Sequence, residues 1–183
     1  MFTRASLRLR AFRRFRRARR GSVAFEFALV AIPFFLLTIG LAEIAMIGFA
    51  QTSLNFAVSN VSRDIRTGRA QMDGLTYGDM KNRLCSDMTT FLALSCDDHL
   101  FLDVNRFDSF IDAEVNDPVQ NNQFQAGGFA YTPGAPSDIV VVRAYYRWSI
   151  MTPMFESVFQ NIEGGERVLA ATTMFRNEPY MSQ

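Results

Sequence analysis

The stretch Arg20-Gly21-Ser22-Val23-Ala24-Phe25-Glu26-Phe27, with the apolar run that follows it to Ala50, decides how this chain of 183 residues folds. Nine arginines and no acidic residue occupy positions 1 to 20, and Phe27 to Ala50 then carries a single charge, Glu43. Crossing the hydrocarbon core takes roughly 20 apolar residues rising 1.5 Å each, so the run spans a bilayer with some allowance for tilt. Pro33 is placed to kink the helix, and Gly40 and Gly48 permit close contact with another helix. A basic leader runs into a membrane helix.

Charge gives that helix a direction. The net charge of +1 hides an asymmetry, because without the nine leader arginines ten basic residues face 18 acidic ones, about −8. The first basic residue after the run is Arg63. The positive-inside rule therefore places the N-terminus in the cytoplasm and everything after about residue 50 outside. Phe12 and Phe15 lie among the leader arginines, as they would in a nucleic-acid patch, but topology and attraction to anionic lipid already explain a polybasic flank. No nucleic-acid partner is expected.

Three readings of the junction stay open. An uncleaved signal anchor asks nothing of Gly21 or Glu26, and a secretory signal peptide wants a shorter run followed by a small-x-small site. The third is cleavage after Gly21. Glu26 is a carboxylate at or inside the bilayer boundary, where a charge is costly and needs a partner. A cut after Gly21 would free an α-amino group on Ser22 to serve as that partner, on the same subunit or a neighbouring one.

Beyond the membrane, Leu54, Val58, Val61, Ile65, Gly68 and Met72 recur at alternating spacings of four and three, which draws one helical stripe. One long helix over 22–72 is expected, with its span at 27–50, preceded by a basic segment 1–21 and followed by an extracytoplasmic domain 73–183. Asp73-Gly74 ends the helix, and Met80, Leu84, Met88, Phe91 and Leu92 predict an amphipathic helix over about 79–92. Cys85 and Cys96 fall on the outside, where an even count suggests a disulfide; two free buried thiols are the alternative. Eleven residues of unbroken helix would hold the pair roughly 16 Å apart, whereas bridged Cα atoms lie about 4.4 to 6.8 Å apart. A bridge therefore requires the helix to break between them.

Leu100, Leu102 and Val104 alternate with Phe101, Asp103 and Asn105 in a first strand. Asp97, Asp98, Asp103, Asp108, Asp112, Glu114 and Asp117 make the region acidic, but a calcium loop's alternating ligands around a glycine are absent, so a solvated acidic face is expected and no metal. Residues 118–137 read as a long loop, functional or mobile. The clearest strand runs over 138–150, with Val140, Val142, Ala144, Tyr146, Trp148 and Ile150 on a buried face and Arg143 and Arg147 on an at least partly wet one. Thr152-Pro153 is placed as N-cap and first residue of a short helix whose Phe155, Val158, Phe159 and Ile162 either pack on the sheet or dock on a membrane or partner. Arg167 to Phe175 makes a last strand, and Arg176-Asn177-Glu178-Pro179-Tyr180 a tail. There is no internal repeat. The expected class is α+β: a long N-terminal helix carrying a small domain with an antiparallel sheet of about three strands and short helices.

A small residue, four positions and then Glu followed by an aromatic, as in Gly21 to Phe27, resembles the prepilin-peptidase site of type IV pilin-like proteins, especially the tight-adherence (Flp) branch. Ser22 departs from the Phe that leads many mature type IV pilins, which puts the usual N-methylated phenylalanine in doubt but not the cut. The order of features extends the likeness: Gly40-Leu41-Ala42-Glu43 in the run, Arg69 near the helix end, Cys85 and Cys96 before a strand, Ile139-Val140-Val141-Val142, Thr152-Pro153 and Arg176-Asn177-Glu178-Pro179. Together they are similar to the TadE-like family of tight-adherence pilus proteins, without separating a TadE-type from a TadF-type member. The resemblance implies a pilin-like minor subunit acting in pilus assembly and adherence, with Gly21 the last leader residue, Ser22 the new N-terminus and Glu26 the helix carboxylate of processing or registration. Glu43 would sit in the outer half of the span, facing a partner helix.

The implied partners are the membrane, a prepilin peptidase, the pilus assembly platform and other pilin-like subunits, including a TadE/TadF-type heterodimer. The implied place is a bacterial inner membrane, crossed once, with the domain periplasmic or carried into the pilus. An uncleaved scaffold of the same apparatus is the alternative function. An enzyme is not expected: His99 is the only histidine and Lys81 the only lysine, so triads, His-based metal sites and phosphate loops lack candidates. Nothing brings two carboxylates together, no cofactor is implied, and Tyr145, Tyr146 and Trp148 read as strand core rather than a sugar platform.

Overall fold

The computed structural model describes residues 20–89, 94–111, 113 and 117–180. The leader through position 19, Phe91, Leu92, Asp112 and Glu114 lie outside the described residues. Contacts divide the chain into two units, Met1–Ala42 and Glu43–Gln183. In the first, the opening part of α1 (Arg20–Arg66) presents apolar side chains to its surroundings almost all round, from Val23 and Phe25 to Ile39 and Leu41. Pro33 lies inside the helix without ending it.

The second unit is α+β. Ala50, Leu54, Ala57, Val58, Val61 and Ile65 form the buried stripe of α1, four and three residues apart as the period of 3.6 requires. The helix ends at Arg66 rather than near 72, since Gly68 adopts a left-handed φ of 77° and the ring of Tyr180 packs where a Cβ would stand. A short α2 (Arg69–Met72) comes next, and Met72, expected on the buried stripe, is exposed because the turn has rotated it off that face.

Helix α3 (Tyr77–Thr89) starts two residues before the expected position. Its cap is Thr76: the Asp79 carboxylate accepts from Thr76 N and Oγ1 at 2.9 and 2.6 Å, while Asp79 N donates to Thr76 Oγ1. This reciprocal arrangement is a capping box, and it holds the Asp79 carboxyl below its ordinary range. Met80, Leu84 and Met88 are the buried face.

Strands β1 (Leu100–Phe107), β4 (Ile139–Ser149) and β5 (Glu166–Arg176) form an antiparallel sheet in the order β1-β4-β5, with Val104 opposite Val142 and Val142 opposite Thr173. Leu100, Leu102, Val104, Val140, Val142, Ala144, Tyr146, Trp148, Leu169 and Ala171 share one core with the stripe of α1 and the face of α3.

The other face of the sheet is partly wet, as expected, at Arg147 and at the exposed Ala170, Thr172 and Met174 of β5, but its centre is dry. Asp103 and Arg143 are 2% and 7% exposed and meet at 2.7 Å, and Asp103 also accepts from Asn105 Nδ2 and Ala130 N. Asp103 thus leaves the solvated acidic face because it neutralises an arginine directly across the β1–β4 register. The cover is the segment expected to be a long loop. It contains a two-residue hairpin, β2 (Val119–Gln120) with β3 (Gln123–Phe124), and Phe124 and Phe129 pack on Phe101 and Tyr145, Phe129 stacking on Tyr145 at 5.3 Å. Val104 donates to Ala130 O and accepts from Thr132 N, both at 2.8 Å, so this segment also closes the free edge of β1.

The tail is a lock rather than an end. Buried Asn177 donates through Nδ2 to Pro133 O and Ala135 O, Glu178 N donates to Arg66 O, and Arg66 meets Glu178 at 3.4 Å.

Candidate functional site

Gly21 and Ser22 fall in the first turn of α1, and Glu26 is exposed one turn further on. Positions 22 and 26 are i and i+4, neighbours on one helix face, and helical Cβ atoms tilt toward the N-terminus. An amine freed at 22 would therefore lie one turn from a carboxylate at 26. Around it, Val23, Phe25, Phe27, Leu29, Val30 and Ile32 are exposed on every side of the helix. Such a surface is stable in lipid or among other apolar helices, not in water. Val23 to Ala42 alone is long enough, at about 30 Å, to cross a bilayer core.

Glu43 behaves differently from the charge expected to face a partner helix. It is 2% exposed, and its carboxylate accepts from Met151 N and Thr152 Oγ1, each at 3.1 Å. The hydroxyl expected to cap the helix at Pro153 is thus spent on Glu43, and Thr152 makes no side-chain cap. The helical segment beyond Thr152 is brief: a 3₁₀ turn, Pro153–Phe155, and one turn of α4, Glu156–Phe159. Within the expected span of 27–50, Glu43 and Ala50 are buried and Met46 and Ile47 pack against the core, while Ile44 and Phe49 stay exposed.

Cys85 of α3 and Cys96 before β1 are joined in a disulfide with Cα atoms 5.9 Å apart. Within the described residues α3 ends at Thr89, between them. The lone His99 faces Arg147 O through Nδ1 at 3.0 Å, and the lone Lys81 donates to Asp97 O at 2.7 Å. Tyr146 donates to Ser95 O, Tyr145 lies in the aromatic cluster, and burial pushes both phenols up. Among the described residues no three His, Cys, Asp or Glu side chains gather as a metal site requires.

A polar groove of about 730 Å³ lies between α1 and β5, lined by Asn55, Ser59, Arg63, Arg66, Thr172 and Glu178 among others. The Glu43–Thr152 contact was hidden in the sequence because Thr-Pro reads equally well as a helix start. Asp103–Arg143 was more accessible, since each charge sits mid-strand among apolar neighbours and pairing the two strands by their buried faces brings them together.

The TadE-like protein family matches residues 21–63. That segment begins at Gly21, takes in Glu26 and Glu43, and ends within the buried stripe of α1, before the sheet domain. No curated protein and no solved structure matches the chain. The match supports a part in tight-adherence pilus machinery, and the apolar helix fits a single-pass membrane anchor with a C-terminal domain. Over residues 21–63, the length of α1 that carries both carboxylates, this chain is similar to TadE-like proteins.

Proposed function

We propose that the chain is a pilin-like minor subunit of the tight-adherence pilus machinery, acting in pilus assembly and surface adherence. The supporting observation is that the TadE-like match opens at Gly21 and runs along a helix whose residues 23–42 are clothed largely in exposed apolar side chains. In this reading the arginine leader fixes a cytoplasmic N-terminus, with the domain on the far side of the inner membrane. A prepilin peptidase removes residues 1–21 and with them nine positive charges. The new Ser22 amine then meets a Glu26 carboxylate, on its own chain or a neighbour's, as α1 passes from lipid into a bundle of pilin-like helices; a second TadE- or TadF-type subunit is the preferred partner. The role is structural rather than catalytic, consistent with His99 and Lys81 both being engaged by backbone carbonyls.

One observation favours the alternative of an uncleaved scaffold. Helix α1 already includes Arg20 and Gly21, so the bond would have to be drawn out of helical geometry before it could be cut. The test is Glu26→Ala in the native host. The protein should remain in the membrane while pilus production and adherence fall; normal piliation would remove Glu26 from the mechanism.

A further inference from the structure

We infer that the groove between α1 and β5 takes an extended acidic segment of another protein chain, added to the sheet as a strand beside β5. Every residue involved lies in the second unit. A sheet edge invites pairing because its outward N–H and C=O groups have no partner strand. In the order β1-β4-β5, the edge of β1 is covered at Val104 by Ala130 and Thr132. The edge of β5 is closed along only part of its length. Asn161 N donates to Glu166 O, and the Asn161 side chain accepts from Val168 N at 2.8 Å and donates to Val168 O at 3.5 Å. Gln51 Nε2 donates to Ala170 O at 2.8 Å, and further on Glu178 N donates to Arg66 O. By the alternation of an antiparallel ladder, Thr172 and Met174 turn their main-chain groups the same way as Val168 and Ala170, away from β4. Both are exposed, and among the described residues nothing pairs with those groups.

The polar groove lies beside this open stretch, with Asn55, Ser59, Arg63 and Arg66 of α1 on one wall and Thr172 and Met174 on the other. From Asn55 to Arg66 the helix rises about 16 Å, the length of about five residues of extended chain. Charge decides which chain fits. Beyond the leader ten basic residues face 18 acidic ones, and among the described residues every basic side chain but one meets a carboxylate, a carbonyl or a ring. The exception is Arg63, exposed on the groove wall. Arg66 is held by an exposed pair with Glu178, which is worth little in water. A strand laid along β5 bonds through its main chain to Thr172 and Met174 and presents alternate side chains to α1, so acidic residues at alternate positions reach Arg63 and Arg66. A second copy of β5 brings no such acid, since Arg167 to Arg176 contains none.

The test uses the full chain in detergent and a fluorescein-labelled synthetic peptide of alternating valine and glutamate. Binding is read by fluorescence anisotropy, and amide hydrogen exchange is followed at Thr172 and Met174. The expected result is saturable binding that slows exchange at both amides, with no binding of the same peptide when its backbone amides are methylated. Arg63→Glu changes an exposed side chain outside the core and should weaken binding by about tenfold or more, the worth of one charge-assisted hydrogen bond. A valine–lysine peptide should bind more weakly than the valine–glutamate one. No binding of the acidic peptide up to about 1 mM overturns the inference. Equal binding of the methylated peptide shows attraction by charge without strand pairing, and likewise overturns it. Exchange at Thr172 and Met174 that slows with rising protein concentration alone shows that a second copy covers the edge, which also overturns it.

Discussion

Residues 23–42 and 43–65 belong to one continuous helix, are rich in the same apolar residues and carry one carboxylate each before Asp64, yet they meet different surroundings. In the first stretch Leu29, Phe34 and Leu37 are exposed; in the second Leu54, Val61 and Ile65 are fully buried against a sheet. Glu26 is exposed, whereas Glu43 is enclosed and accepts two hydrogen bonds from the Met151–Thr152 corner. Helical periodicity separates the two. The later stretch has a single stripe and needs one protein surface, while the earlier one is apolar on all sides and needs a solvent that is itself apolar.

The contrast can be attacked at several depths. The largest effect is expected inside the domain, at the Asp103–Arg143 pair. Asp103→Ala strands Arg143 in the interior and should cost about 3–5 kcal/mol in detergent-solubilised protein unfolded with denaturant. Replacing both by apolar residues of similar volume should recover most of the loss, and a double variant as weak as the single one would show that the pair's charge is not what matters.

Next comes a matched pair on α1. Leu54→Ala should cost the domain about 2–5 kcal/mol through the cavity it leaves, while Leu37→Ala should change domain stability by no more than about 0.5 kcal/mol. Equal losses would erase the distinction between the two stretches. The carboxylates give a sharper version. Glu43→Ala deprives Met151 N and Thr152 Oγ1 of their acceptor and should cost about 1–3 kcal/mol, whereas Glu26→Ala should leave the domain's unfolding midpoint unchanged and affect only assembly.

The smallest effect is at α3. The capping box lowers the folded pKa of Asp79 beneath its ordinary value of 3.8, so its contribution is fully present above that value and is lost as the pH falls through the lower folded one. Asp79→Asn should accordingly lower stability slightly at neutral pH, with the difference from the native chain shrinking as the pH falls through the folded pKa, so that the acid limb of the stability curve is flatter. An unchanged acid limb would show that Asp79 is not part of the cap in solution.

Much of this is written locally in the chain. The stripe from Leu54 to Ile65, the face of Met80, Leu84 and Met88, and the alternation in β4 each repeat over several turns or residues, and repetition survives tertiary context. The failures share a cause: each depends on residues far apart in sequence. The helix stops at Arg66 because Tyr180 occupies the space over Gly68; Thr152 gives up its cap to Glu43; Asp103 is drawn inward by Arg143; and the 118–131 segment is ordered by Phe101 and Tyr145. At the N-terminus the resemblance was legible because the spacing of Gly21 and Glu26 is itself the signal, and the TadE-like match opens at Gly21.

The most direct measurement is the intact mass of the protein from its own host's membranes, with and without the prepilin peptidase. Loss of residues 1–21 only when the peptidase is present is the predicted result, leaving Ser22 as the new N-terminus one turn from Glu26. A full-length mass in both strains would contradict it, and would make α1 an uncleaved anchor that carries a TadE-like sequence.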